Sequence, residues 1–137
     1  MIERAKKLLE ECGYTCVFLS DSEMLSSTKR GVAPLLELIE QNKCLKGFSG
    51  ADKVVGAGAA YLYVILSPDS LFASTLSESA KQVLDSYGIS YSYGKLVPYI
   101  INRAGDGACP IEQAVRNSLS PQEALEDIKN ARAALRS

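Results

Sequence analysis

A chain of 137 residues, 47% apolar and 23% charged, has the size and composition of one globular domain: too short for two ordinary cores and too apolar for a disordered polymer. Fifteen Lys and Arg against sixteen Asp and Glu leave a net charge of -1 with no long block of like charge, which argues against duplex nucleic acid as a partner. Histidine and tryptophan are both absent, so the commonest general base at neutral pH, the base of Ser-His and Cys-His pairs and the commonest metal ligand are missing together.

The chain opens with MIERAKKLLEE, where Ile2, Ala5, Leu8, Leu9 and Cys12 recur at helical spacing and Gly13 supplies a stop. This amphipathic start lacks the apolar core and cleavage site of a secretory signal, so a cytoplasmic location with reduced thiols is expected for the four cysteines at 12, 16, 44 and 109. YTCVFLS then reads as a central strand and MLSST as its hairpin partner. In GVAPLLELIEQN, Pro34 suits a first helical turn, and Val32, Leu35, Leu36 and Ile39 share a face. Residues 44–48 are expected to form a short strand.

A helix is predicted next, capped by Asp52 and stopped at Ser67-Pro68; its thirteen apolar or small residues, 54–66, are too few for a membrane span and suit a buried helix. SLFASTL reads as a strand, and Thr75 with Glu78 matches a capping box opening a helix that Gly88 closes. ISYSY is a further strand, whereas KLVPYIIN is interrupted by Pro98. A glycine loop, AGDGA, precedes a helix at Cys109-Pro110, and Ser120 with Glu123 forms a second capping box before a C-terminal helix at 121–136. The alternation of strands and helices points to a single α/β layered domain over 1–137 with a mixed sheet.

Each candidate site has a structural alternative. Gly56-Ala57-Gly58 offers the first half of a dinucleotide fingerprint, but Tyr61 occupies the third small position, and glycines packed inside a buried helix account for the stretch better. Cys12 and Cys16 have the spacing of a metal pair without a second pair to complete it, so no metal site is expected. Cys109, after a glycine loop and at a helix start, is a candidate reactive thiol with Glu112 as its acid; alternatively the two are a cap and a first-turn carboxylate. Tyr87, Tyr91, Tyr93 and Tyr99 offer rings for stacking on a flat ligand or simply for sheet packing. Asp52, Lys53 and Asp106 are polar groups near helix starts, suited to anion or ribose contacts or to capping.

Three stretches, Ala51-Asp52-Lys53-Val54-Val55-Gly56, Lys95-Leu96-Val97-Pro98 and Cys109-Pro110-Ile111-Glu112, resemble a family of uncharacterised bacterial proteins, a domain of unknown function with a fold similar to cytidine deaminase. The resemblance covers roughly residues 1 to 118 and implies a three-layer α/β/α mixed sheet. Zinc deaminases carry a His or Cys and a catalytic Glu at one helix start and Pro-Cys-x-x-Cys at the next. Those places fall near Gly56-Ala57-Gly58 and near residues 77–81, where neither thiol nor imidazole stands. The resemblance therefore implies a metal-free, cofactor-free binding domain. Its expected ligand is a nucleotide or other small molecule near Asp52, Lys53, Gly56, Gly58 and Glu78. A thiol-dependent enzyme or redox sensor using Cys109, and an interaction protein that forms a homo-oligomer through its C-terminal helix, are the alternatives.

Overall fold

The computed structural model describes residues 1–101, 105, 107 and 109–136. Helix α1 (Ile2–Glu11) buries Ala5 and Leu9 and hands over through Gly13, whose φ of +70° is the left-handed turn that favours glycine. Strands β1 (Cys16–Leu19) and β2 (Met24–Ser27) form the expected hairpin, in register from Cys16 opposite Ser27 to Leu19 opposite Met24. Helix α2 (Ala33–Glu40) follows with Pro34 in its first turn. Two strand–helix units come next: β3 (Ser49–Val55) with α3 (Ala57–Leu66), and β4 (Ser70–Ser77) with α4 (Glu78–Ser86). The chain ends with β5 (Tyr91–Val97), the short α5 (Pro110–Ala114) and α6 (Pro121–Arg136).

The five strands form one sheet in the order β2-β1-β3-β4-β5. β1 is antiparallel to both neighbours, while β3, β4 and β5 run parallel, each joined to the next by a helix as parallel pairing requires. The sheet is thus mixed and flanked by helices on both faces. On one face α1 packs on Val17, Leu19, Ala51 and Phe72. The larger core lies on the other face, around α3, which contacts α2, α4, α5 and α6. That helix buries residues on nearly every side, Tyr63 and Leu66 completely, because neighbours surround it. No described helix is long and apolar enough to cross a membrane.

Several local expectations give way to sheet pairing. Asp52 is not a helix cap: it lies on β3 between Cys16 of β1 and Ala73 of β4, and α3 begins five residues later, after Gly56. Ladders on both sides outweigh the helical look of the small-residue run. Thr75 likewise remains in β4, and the cap of α4 is Ser77, whose Oγ accepts the N–H of Ala80 at 3.1 Å. Residues 44–48 form no strand; they turn, with the Leu45 N–H bonded to the Leu66 carbonyl at 2.7 Å. The ambiguous 95–97 segment continues β5 up to Pro98. Ser120 caps α6 as its sequence suggests, accepting the Glu123 N–H at 3.1 Å.

At Gly58, α3 comes close to α5 and α6: a Cβ there would stand 2.7 Å from Ile111 Cγ2 and 3.5 Å from Ile128 Cδ1. Gly58→Val is expected to overpack this contact and lower the unfolding free energy by about 1 to 3 kcal/mol, read by urea denaturation.

Candidate functional site

The carboxyl ends of β3, β4 and β5 lie side by side, the usual position of a binding crevice in an open α/β sheet. One carboxylate ties them together. Glu112 Oε2 accepts the Ala57 N–H at 2.8 Å, the Ser77 hydroxyl at 2.6 Å and the Ser79 hydroxyl at 3.2 Å, while Oε1 accepts the Ile100 N–H at 2.8 Å. Ala57 opens α3 and Ser77 caps α4, so the negative charge sits at the positive ends of two helices. Ser77 serves both sides, donating to Glu112 and accepting from Ala80. Gly56 makes room: a Cβ there would lie 2.8 Å from Glu112 Oε2 and 3.0 Å from Ile100 Cγ1.

Beside this knot is a cavity of about 890 Å³, walled in part by Val32, Leu35, Ile101 and Ile111. Of the residues that the sequence offers for ligand binding or catalysis, Asp52, Lys53, Gly56, Gly58, Cys109 and Glu112 line it. Glu78 does not, being exposed in the first turn of α4. Arg30, Lys53 and Arg132 bring positive charge to the lining, and none of the three has an ion-pair partner among the described residues.

Asp52 is 9% exposed. Its Oδ2 accepts the Tyr63 hydroxyl at 2.6 Å and its Oδ1 the Val54 N–H at 3.3 Å. Burial pushes this carboxyl up to about 7, although those hydrogen bonds favour the ionised form and pull the other way. The buried Cys16 thiol beside it is pushed up as well, by burial first and by Asp52 second. Tyr63 is raised by the same two causes, so each of the three groups holds its proton to higher pH than it would in water.

Cys109 stands at the N-cap of α5, half-exposed, with its N–H bonded to the Ile100 carbonyl at 2.8 Å and no side-chain capping bond. The helix it opens has only five residues. Of the glycine loop, Gly105 and Gly107 are described and Asp106 lies outside the described residues. A second cavity of about 980 Å³ reaches Glu112 from the α4 side and is lined by Tyr61, Tyr87, Tyr99 and Arg116. Tyr91 and Tyr93 instead stack on each other along β5, ring centres 6.4 Å apart, as residues on one strand face do.

The profile of TM1506, a domain of unknown function (DUF1893), matches residues 4–131. The chain belongs to this family. It is similar, at 27% identity and a TM-score of 0.86, to the crystal structure of a DUF1893 family protein from Thermotoga maritima, over 97% of this chain and 88% of that one. No curated protein matches this chain.

The helix starts of this DUF1893 domain do not fit a catalytic zinc. Where α3 and α4 begin, the chain offers Gly56, Ala57, Gly58, Ser77, Glu78 and Ser79, and among the described residues no three His, Cys, Asp or Glu side chains gather as a metal-holding group. The residues that build the knot and were not foreseen are Ser77, Ser79 and Ile100, together with Tyr63 beneath Asp52 and the cations Arg30 and Arg132. Only Ser77 left a trace in the sequence, as a hydroxyl just ahead of a helical pattern, and Thr75 masked it.

Glu112→Ala leaves the Ala57 and Ile100 N–H groups and two hydroxyls without their shared acceptor, and is expected to cost about 3 kcal/mol in urea unfolding, whereas Glu112→Gln costs less. Asp52 gives a pH signature. The unfolded carboxyl releases its proton near 3.8 and the folded one holds it to about 7, so in that window the unfolded state binds fewer protons and stability falls as pH rises. The full loss, above pH 7, corresponds to roughly 4 kcal/mol. Unfolding curves at pH 5 and pH 8 are expected to show Asp52→Asn gaining on the parent chain as pH increases.

Proposed function

We propose that this domain is a non-catalytic, metal-free binding module of cytidine-deaminase-like fold. Its ligand is a small anionic molecule, in the first instance a nucleotide, held in the cavity beside α3. The mixed sheet with helices on both faces and the meeting of two helix starts at the carboxyl ends of parallel strands support the fold assignment.

One observation carries the functional reading: Arg30, Lys53 and Arg132 line one largely apolar cavity, and among the described residues no acid lies within ion-pair distance of any of them. Cations gathered in that way match a phosphate or carboxylate on a ligand, and the volume suits a nucleotide-sized body. Asp52, Gly56 and Gly58 complete the wall. At the helix starts, where a relative with a catalytic group would hold it, Glu112 is engaged by four donors of the protein itself.

A thiol-dependent reaction at Cys109 is the weaker reading. Cys109 does line the cavity, but its intended acid is the same fully engaged Glu112. The interaction reading draws little from α6, whose Ala124 and Ile128 are buried in this domain's own core.

The test is a thermal-shift and calorimetric screen with nucleotides, nucleosides and inorganic phosphate at millimolar concentration. A nucleotide is expected to raise Tm, and Lys53→Ala or Arg132→Ala to weaken its binding by about tenfold. No stabilisation by any of these compounds overturns the reading.

A further inference from the structure

Among the described residues, the cavity holds charges of both signs without ion pairs: its cations have no acid, and its buried acid, Asp52, no Lys or Arg, within ion-pair distance. Asp52 Oδ2 accepts the Tyr63 hydroxyl and Oδ1 the Val54 N–H, with the Lys53 N–H also turned toward the carboxylate, which leaves part of its acceptor capacity open. Among the described residues, the titratable groups that interact with Asp52 are Cys16 from β1 and Tyr63 from α3, and neither is a cation. A carboxylate in this state is matched by two parallel N–H donors, the fork that binds both oxygens at once. Glu112, the other acid on the cavity, already accepts four donors from the protein, three of them on Oε2, and so offers a ligand less.

We infer that the ligand is an anion whose far end carries a planar pair of N–H donors, a guanine-, amidine- or guanidine-type edge. Asp52 reads that edge, and Arg30, Lys53 and Arg132 hold the negative group. This rests on the binding function proposed above and narrows it to one ligand chemistry. The raised proton affinity of Asp52 agrees with it, since an acid buried without a counter-charge is relieved by donors the ligand brings. A ligand with only carbonyl acceptors at that end would instead set lone pairs against the Asp52 oxygens. The cavity volume accommodates a nucleoside monophosphate, and a guanidinium carboxylate carries the same pair of chemistries in a smaller body.

The experiment is titration calorimetry at pH 7.5 on the whole chain and on Asp52→Asn. The probes are 5′-GMP against 5′-IMP, which lacks only the exocyclic amino group, and N-acetylarginine against N-acetylglycine, with inorganic phosphate as the plain anion. At least one donor-bearing probe is expected to bind the parent chain about tenfold or more tighter than its counterpart, with the ratio falling to near one in Asp52→Asn. A GMP preference identifies a nucleotide as the source of the edge, and an N-acetylarginine preference a guanidinium carboxylate. Ratios near one for both pairs in the parent chain, with anions still bound, overturn the inference and leave the binding function standing. A preference that survives in Asp52→Asn overturns the role of Asp52. If no probe binds, phosphate included, the binding function itself falls.

Discussion

A single carboxylate determines how the carboxyl ends of the parallel strands are finished. Strands that run parallel and turn into helices leave a crevice at those ends, lined by backbone N–H groups that need acceptors. Glu112 supplies the acceptor for three turns of the chain at once. Much nearby follows from this: Gly56 must lack a side chain, Ser77 must carry a hydroxyl, and Pro98–Ile100 must pass close to the start of α3. Helix α5 buries none of its five residues, so its place depends on these hydrogen bonds and on the partial packing of Ile111. The wall that α5 gives the cavity is therefore held mainly by polar contacts.

The legible parts of the fold were those governed by local periodicity and capping. α1, the β1–β2 hairpin, α2 and α6 emerge from residues a few positions apart. β3 does not, because its pattern is inverted at the site: Asp52 is buried and Val54 is 47% exposed, the reverse of what hydrophobicity suggests. Only the ladders to β1 and β4 make that segment a strand. The Thr75 cap lost for the same reason, β4 being paired on both edges as far as Leu76 and with β5 as far as Ser77.

At the site, residue types could be read but their partners could not. Asp52, Lys53, Gly56 and Gly58 were singled out as a helix start; they line the cavity because they end a strand and begin the helix after it. Cys109 and Glu112 were paired as thiol and acid by sequence proximity. Glu112 instead reaches donors 35 and 55 residues earlier, which no local pattern records. The convergence of Arg30, Lys53 and Arg132, drawn from three separate parts of the chain, is likewise a product of tertiary structure. A chain of nearly neutral net charge can still bring three cations to the wall of one cavity. Family membership supplies the fold and leaves the chemistry to the site.

The sequence distances have a kinetic meaning. Tyr63 and Asp52 are 11 residues apart within one strand–helix unit, so their bond closes a short loop. The bond from Ala57 to Glu112 closes a loop of 55 residues, at a larger cost in chain entropy. During synthesis from the N-terminus, β3 and α3 emerge well before the residues that fasten their ends. The buried acid thus needs only a short loop to meet its tyrosine, whereas the space beside it is walled partly by residues from the last third of the chain.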